Sequence, residues 1–546
     1  MSRQRGIRCG CVLFVLGTAL ASQAQEPAGP HLTGSLGSVT VGDEQFYRMS
    51  FRPEIPLGPW GVALDLELFL DQQGGISSRG WEFGTATETV SSLLRKIYYV
   101  RYGRPHEEIY AKVGALDNVT LGYGLILADY RNTLEYPGIK KTGLEFKLRN
   151  LGGSGIGVEG MVNNVQDFQQ GGPVVGLRAF GQVLGPLELG ISYVTDVDQY
   201  GGLLDSDDDG FPDAVDAFPD DEDRALDNDG DGQPDELDLD DDNNGAVDAD
   251  AGSGLSAALQ QRLRDLNTEF GPAFPVDTQV QRRTPFNDER VDRDPFSMVG
   301  LDAAYPITRS AQLTVSLYGQ VALIADDDDD LDPQVAVSQG VQPGNRKAKG
   351  WGLAAPGVLV RTGPLTAQLE FRRFAEDFEA RHFDNLYEVD RVRIDPATGL
   401  AQPKDARLGR SESVAGVYGH AATDLGQLVL ASASYQYLTG ADDPEQYLIA
   451  SAALSEEVLG RVPRLTLARA YYQKENIGRG LNEEGEQGSS DGFFEPTEDM
   501  LYGYEIGLEM SGGVSLVWDT RYVFERGADR DLDRRQITSI QTVFVF

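Results

Sequence analysis

Hydrophobic and polar residues alternate with a period of two along much of the chain. The alternation is clear in four segments, at residues 62–71, 144–149, 365–372 and 515–525. In the first of these, valine and leucine occupy one face, while Asp65, Glu67 and Asp71 occupy the other. This period predicts β-strands, each with one apolar and one charged face.

The connections between the predicted strands alternate between short and long. The short ones are 56–59, 150–154, 185–186, 363–364, 425–426 and 512–513, and the long ones are 71–92, 117–139, 198–295, 325–348, 378–410 and 476–498. A soluble sandwich also alternates apolar and polar residues, but it has no reason to sort its loops by length in this way. Strands of about ten residues cross a bilayer when tilted, and bacterial outer-membrane barrels have short periplasmic turns and long external loops. Counting the segments gives 20 strands, within a range of 16–20 set by their boundaries.

The beginning of the chain has the pattern of an export signal. Three arginines among the first eight residues precede an apolar run at 11–16, and Ser22-Gln23-Ala24 has the small-x-small spacing of a cleavage site. Residues 1–24 are therefore predicted to be a signal peptide, with a cytosolic amphipathic start as the alternative. Both cysteines lie in this segment, so the exported chain is expected to have no disulfide.

The last residues, Ile540–Phe546, form an amphipathic segment that ends in phenylalanine. This segment resembles the assembly signal of Gram-negative outer-membrane β-barrels. The resemblance implies an all-β, transmembrane antiparallel β-barrel in contact with outer-membrane lipids and with the outer-membrane assembly machinery. Residues 25–199 and 296–546 are then the two parts of the barrel, and 200–295 is an extracellular insert.

The formal net charge is −39, which excludes a nucleic-acid-binding protein, because such proteins need basic surfaces. About half of this charge lies at residues 205–250, which contain 19 Asp, two Glu and one Arg.

Within that block, acids recur at every second position around a glycine. Three copies occur, and their candidate ligands are Asp205, Asp207, Asp209 and Asp213, then Asp227, Asp229, Asp231 and Asp235, then Asp240, Asp242, Asn244 and Asp248. Carboxylates at this spacing curl around one ion, and the glycine permits the bend. Calcium prefers six to eight hard oxygen ligands, so calcium is the predicted cofactor.

The three copies resemble thrombospondin type 3 repeats, including the starts 22 and 13 residues apart at 205, 227 and 240. The resemblance implies a segment that is ordered by calcium, in which Asp216 and Asp238 bridge neighbouring ions. The alternatives are an EF-hand-like loop and a solvated, disordered acidic segment.

Three other segments receive weaker predictions. Leucines and a phenylalanine at helical spacing predict a short amphipathic helix at 255–270. The acidic run Asp326–Asp330 has no glycine and is expected to be a solvated loop tip, with calcium capture as the alternative. The segment Lys112–Lys147 is rich in glycine and aromatic residues, and we expect a plain extracellular loop there, with a constriction folded into the lumen as the alternative.

A barrel of this size is wide enough for an aqueous lumen, and charged strand faces would line it, because charges facing lipid are unfavourable. The charged residues assigned to the lumen are Asp65, Glu67, Glu370, Asp519, Lys147, Arg149, Arg372 and Arg521. They either line a passage or pair across the wall and hold its shape. The predicted function is a porin-like channel for small polar solutes. The alternative is a calcium-dependent surface adhesion or assembly protein that binds an extracellular partner and uses the barrel as an anchor.

An enzyme is not expected. The four histidines are His31, His106, His382 and His420. Ser413 is the hydroxyl near His420, but a separation of seven residues places the two on opposite faces of a regular strand.

Overall fold

A computed structural model describes most of the chain outside its longest connections. The described residues are 31–41, 44–70, 75–77, 81, 96–134, 140–170, 172–203, 216–218, 221, 224–225, 227, 234, 247–248, 276–277, 295–310, 312–325, 348–394, 400–408, 413–440, 445–474, 477, 492–497, 500–526 and 532–545. The predicted signal peptide and the predicted helix at 255–270 lie outside them.

The described residues form 20 wall strands in chain order. Two of them, β3 and β4, are each interrupted. The bounds are β1 His31–Val41, β2 Glu44–Leu57, β3 Trp60–Leu64 with Leu66–Leu70, β4 Ile76–Ser77 with Ile97–Tyr102, β5 Ile109–Gly114, β6 Gly143–Leu148, β7 Ile156–Val162, β8 Val174–Leu184, β9 Leu187–Asp196, β10 Phe296–Arg309, β11 Leu313–Ile324, β12 Gly350–Thr362, β13 Leu365–Glu376, β14 Val414–Leu425, β15 Val429–Thr439, β16 Glu445–Leu454, β17 Leu465–Lys474, β18 Met500–Ser511, β19 Val514–Arg526 and β20 Leu532–Val545.

Each strand pairs antiparallel with the next one in the chain, and all of them belong to one sheet. Strand β1 also pairs with β20, from Thr33 opposite Val545 to Leu36 opposite Thr542, so that the order of pairing returns to its start. The predicted fold class, an all-β antiparallel barrel, is confirmed, and so is the count of 20 strands.

The short connections lie at one end of the strands and are tight turns. Gly58 and Gly185 have φ values of 65° and 58°, a region that a residue with a Cβ atom adopts only at a cost in energy. The helices in the described residues are all short: Leu151–Gly153, Asp167–Gln170, Gln199–Gly202, Tyr387–Asp390, Asp405–Arg407 and Glu456–Leu459. Two small sheets pair Val247–Asp248 with Val276–Asp277 and Val392–Ile394 with Ala401–Pro403. No helix among the described residues has the length and hydropathy needed to cross a membrane.

The wall strands are apolar on the outside and charged on the inside. On β13, Leu369 is 60% exposed and Phe371 is 40% exposed, whereas Glu370 and Arg372 are 1% and 3% exposed. This is the reverse of a soluble sandwich, where the alternation buries the apolar face. It follows that the outward-facing apolar side chains of the wall do not pack the interior.

The hydrophobic core lies inside the ring of strands, where two of the long connections fold back. Leu116 and Leu127 from the first connection and Phe378, Phe383 and Tyr387 from the second are fully buried in one cluster. They pack with inward-facing wall residues such as Met161, Phe296 and Phe374. The expectation of a plain extracellular loop is therefore wrong for residues 115–134, because their apolar side chains are buried within the barrel.

Candidate functional site

We call the inward-folded residues the plug, which consists of residues 115–134, 377–394 and 400–408. Backbone hydrogen bonds join its two parts. The amide of Ala128 donates to the carbonyl of Phe383 at 3.1 Å, and the amide of Phe383 donates to the carbonyl of Ile126 at 3.2 Å. A third bond, from the amide of Arg381 to the carbonyl of Leu125, is 2.8 Å long. The two connections therefore form one body, although they come from opposite halves of the barrel.

The first part of the plug is fastened by a buried asparagine. Asn132 is 2% exposed, and its Oδ1 accepts the amide hydrogen of Leu116 at 2.8 Å. Its Nδ2 donates to the carbonyl oxygen of Asn163, beyond the end of β7, at 2.7 Å. One side chain thus both closes the loop on itself and ties it to the wall.

Wall side chains also receive the tip of this first part. The amide of Gly122 donates to Glu159 at 3.2 Å, and the amide of Leu125 donates to Oε1 of Gln320 at 3.2 Å. The ring of Tyr123 stacks on that of Tyr318, with centroids 4.4 Å apart and planes 9° apart. The tip therefore rests on strands β7 and β11.

The second part is fastened by a buried ion pair. Arg391 is 1% exposed, and its guanidinium donates to both carboxylate oxygens of Asp196 at 2.9 and 2.7 Å. The same guanidinium donates to the carbonyl oxygens of Gly172 at 2.6 Å and Asp198 at 2.9 Å, and Asp196 also accepts from the hydroxyl of Tyr387 at 2.8 Å. Bidentate arginine–carboxylate pairs combine strength with a fixed geometry, so this contact sets the position of the helix Tyr387–Asp390 against the end of β9.

Two further polar contacts hold this part. Glu388 accepts from Lys141 at 2.6 Å and from Asn163 at 3.2 Å. The side chain of Gln199 donates to Asp405 at 2.8 Å. The described contacts that fasten the plug to the wall are therefore non-covalent, and they combine polar contacts with apolar packing.

A buried histidine lies where the plug meets the wall. His382 is 1% exposed, and its ring lies 4.4 Å from that of Phe296 and 5.6 Å from that of Tyr387. Burial, and secondarily the charge of Lys404, lowers its pKa to about 4, while the Glu379 carboxylate, 3.7 Å from Nδ1, opposes the shift. The imidazole is therefore neutral at neutral pH.

The inward face of the wall carries a four-membered charge network. Arg178 of β8 donates to Asp302 at 2.8 and 2.7 Å, to Glu159 at 3.1 Å and to Glu188 at 3.2 Å. Sequence analysis missed this network, because its members come from four different strands. Alternation around Leu177 does place Arg178 inward, but only the strand order shows which acids it meets.

The charges that the sequence assigns to the lumen all have partners. Asp65 contacts Arg52 at 3.2 Å and Lys140 at 3.1 Å. Glu370 contacts Arg372 at 2.6 Å, and Lys147 contacts Glu145 at 3.0 Å. Glu67 pairs with Arg48, Asp519 pairs with Arg521, and Arg149 donates to the carbonyl oxygen of Glu107 at 2.8 Å. Seven of the eight charges are therefore in ion pairs that hold the wall together, and Arg149 is held by a backbone carbonyl group.

Most of the predicted calcium ligands lie outside the described residues. These are Asp205, Asp207, Asp209, Asp213, Asp229, Asp231, Asp235, Asp238, Asp240, Asp242 and Asn244. Of the other three, Asp216 accepts the amide hydrogen of Phe218 at 2.7 Å. Asp227 is described, but the residues on either side of it are not. Asp248 lies in the short strand Val247–Asp248, which pairs in parallel with Val276–Asp277. The described residues contain no group of three or more His, Cys, Asp or Glu side chains placed to hold a metal ion. The calcium site stays a prediction.

The described contact of the His420 side chain is with a serine other than Ser413. His420 Nδ1 lies 2.8 Å from the hydroxyl oxygen of Ser434 on the neighbouring strand β15. His106 lies in an exposed short turn.

Comparison with known proteins finds no matching family model and no matching curated protein. Solved structures that resemble this one are outer-membrane proteins. CdiB from Escherichia coli has 12% identity and a TM-score of 0.32 over 82% of this chain and 64% of its own. Wzi from Escherichia coli, an outer-membrane protein involved in group 1 capsule assembly and described as a carbohydrate-binding β-barrel, has 11% identity and a TM-score of 0.29 over 95% and 84%. OccK5 (OpdH) from Pseudomonas aeruginosa has 12% identity and a TM-score of 0.30 over 95% and 97%. Similarities at this level carry no functional argument.

Proposed function

We propose that this protein is an outer-membrane channel for small polar solutes, that its lumen is narrowed by the plug, and that its acidic insert binds calcium on the outer side. The observation that carries the proposal is the inverted polarity of the wall together with a non-covalently fastened plug inside it.

Membrane insertion follows from the outward face of the strands. Leu301, Leu369 and Ile506, on well-separated strands, are 54%, 60% and 38% exposed, whereas the charged side chains between such residues face inward. A wall surface that exposes large apolar side chains on many strands is unfavourable in water and favourable against lipid hydrocarbon. The ring of pairing leaves no open sheet edge among the described strands, which a bilayer requires.

The lumen supports passage of polar solutes rather than of one ion type. Arg372 is paired with Glu370 on this wall. Arg178, in contrast, contacts three carboxylates, those of Asp302, Glu159 and Glu188. The inner wall therefore offers hydrogen-bond donors and acceptors to polar solutes, and we expect its local excess of acid to give a modest preference for cations. The plug sets how much of the lumen is open, because it fills the end of the barrel where the long connections lie.

The acidic insert leaves the wall at the same end as the plug, between β9 and β10. Asp196, the last residue of β9, is the carboxylate that holds Arg391 of the plug. Residues 205–250, which begin nine positions after Asp196 in the sequence, have a net charge of −20, and bound calcium ions would offset part of it. We therefore propose that calcium orders the insert and reduces the repulsion among its own carboxylates.

Single-channel conductance of the folded protein in a planar bilayer tests the channel. We expect small, stable steps for the wild type and larger steps for Arg391→Met, which unfastens the second part of the plug. The exposed ion pair of Arg461 with Glu457 provides a matched control, and Arg461→Met should leave the steps unchanged. If neither the wild type nor Arg391→Met conducts while both remain folded barrels, the channel hypothesis fails.

That failure would favour the second candidate, a calcium-dependent surface protein that uses the barrel as an anchor. The plug also supports this candidate. Its fully buried side chains, such as Leu127 and Phe383, fill the lumen, as expected of a barrel that is closed and serves only as an anchor. Calcium-dependent retention of an extracellular partner, without conductance, would then be the expected behaviour.

Titration calorimetry of the whole protein tests the calcium proposal. Asp227→Asn combined with Asp229→Asn removes two predicted ligands of one repeat and should reduce the heat of calcium binding. The run Asp326–Asp330 offers a control of similar charge without the repeat pattern, and Asp327→Asn combined with Asp329→Asn should leave the heat unchanged. An equal loss for both pairs would indicate general charge screening and contradict the repeat hypothesis.

A further inference from the structure

A short described stretch before β18 lies on the outside of the barrel. We call residues 492–497 the outer foot. It contains Phe493 and Phe494, which are 40% and 77% exposed. Two consecutive phenylalanines with this much exposed surface are unfavourable in water. Which face of the wall the foot covers therefore decides what these rings contact.

The register of the strands settles the face. On β18, Tyr504 and Ile506 are 41% and 38% exposed and mark the outward positions. Tyr504 pairs with Ala470 of β17, so Tyr472 and Lys474 on the same strand also face outward. Leu448 lies opposite Lys474, and Tyr435 lies opposite Leu448, so Tyr435 faces outward as well.

The outer foot contacts these outward residues. The ring centroid of Phe493 lies 5.7 Å from that of Tyr435, and the ring centroid of Phe494 lies 5.7 Å from that of Tyr472. The hydroxyl of Tyr472 also donates to the carbonyl oxygen of Phe493. The foot therefore bends over the rim onto the outer wall, away from the lumen that the plug occupies.

A buried lysine holds the foot in this position. Lys474, the last residue of β17, is fully buried. Its ammonium group donates to the carbonyl oxygens of Gly492 at 2.7 Å and Glu495 at 2.8 Å. The charge is thus satisfied by backbone oxygens and covered by the foot, so the outer surface at this point presents phenyl rings instead of an ammonium group.

We propose that the outer foot is a lipid contact, in which Phe494 inserts into the interface of the outer leaflet beside the barrel. The apolar outward band of β18 continues directly below it through Tyr504, Ile506 and Leu508. Aromatic rings are favoured at the boundary between headgroups and hydrocarbon, and a loop that carries rings onto the outer wall extends that contact beyond the strand itself. This inference rests on the proposed membrane insertion of the barrel.

Site-directed spin labelling of the full-length protein in phosphatidylcholine nanodiscs tests the proposal. The two native cysteines, Cys9 and Cys11, are first replaced by serine, so that a single introduced cysteine can be labelled. Three variants are compared: Phe494→Cys in the foot, Ile506→Cys on the outward wall and Ser154→Cys in an exposed short turn. We expect the label at 494 to resemble that at 506, with high accessibility to oxygen and low accessibility to a water-soluble nickel complex.

The three positions separate the outcomes. A water-like label at 494 beside a lipid-like label at 506 would overturn the lipid contact and leave the membrane barrel intact. Low accessibility to both reagents at 494, with dipolar broadening, would indicate a second copy of the chain on the foot and would also overturn the proposal. Water-like labels at both 494 and 506 would show that the barrel is not inserted, and the proposed function itself would fail.

Discussion

Replacement of Arg391 by methionine should release the second part of the plug. The guanidinium is 1% exposed and pairs with a carboxylate, Asp196, that is fully buried. Methionine retains much of the side-chain volume but leaves the Asp196 carboxylate without its cation, with the hydroxyl of Tyr387 and the backbone amide of Asp198 as neutral donors. Removing one member of a buried ion pair costs about 3–5 kcal/mol, because the other charge stays buried without compensation.

This free-energy cost gives an expected shift in the equilibrium between the closed and the released plug. Since about 1.4 kcal/mol is a factor of ten, the equilibrium for opening the plug should shift by about 100- to 4000-fold. Amide hydrogen exchange of residues 377–394 measures this opening, and their protection should fall by that factor while the wall strands keep theirs. The larger conductance steps expected of the same variant report the same event.

A double variant identifies the cause. Asp196→Asn added to Arg391→Met removes the stranded charge and should restore part of the lost protection, because losing both partners is less harmful than losing one. Arg461→Met, in an exposed pair worth less than about 1 kcal/mol, is the control. Protection within about threefold of the wild type for Arg391→Met in a folded barrel would refute the view that this pair fastens the plug, since a buried pair is expected to be worth far more.

Two further predictions concern the plug. Because the pKa of His382 is lowered from 6.5 to about 4 by burial, the plug is fully stable in this respect above pH 6.5 and loses stability as the pH falls from about 6.5 to about 4. His382→Phe should therefore weaken the acid-induced loss of exchange protection in the plug, whereas His106→Asn in the exposed turn should not change it. In Gly352→Ala, the new Cβ would lie 2.1 Å from a ring carbon of Phe378, so the ring must move and protection at 377–394 should drop, at a cost of about 1–3 kcal/mol. Gly419→Ala, whose nearest neighbour would be at 3.7 Å, is the matched control, and an equal effect of both substitutions would contradict the steric argument.

Part of the candidate site could be predicted and part could not. The charges at Asp65, Glu370 and Arg372 were placed on the inward face from alternation alone, and the structure finds them there in ion pairs. The first part of the plug was only the alternative interpretation of Lys112–Lys147, because the composition fits an exposed loop equally well, and the second part was not predicted. Glycine and aromatic residues indicate a flexible backbone and large apolar side chains, but they do not determine whether those side chains pack inside or outside the barrel.

The sequence by itself determined the barrel wall. Each strand needs only a period of two, and that period is local, because successive side chains of a pleated strand point to opposite faces. The alternation of short and long connections is local in the same sense, and together these patterns were sufficient for the fold class and for the strand count.

Only the tertiary structure decided what fills the barrel. Leu125 meets Gln320 across 195 positions, and Arg391 meets Asp196 across the same number, so no window of the sequence contains both partners. The direction in which the outer foot bends was likewise decided by the register of β15–β18, which brings Tyr435 and Tyr472 onto one outward surface. Contacts of this kind depend on the order and register of the strands, because these bring together residues that are far apart in the sequence.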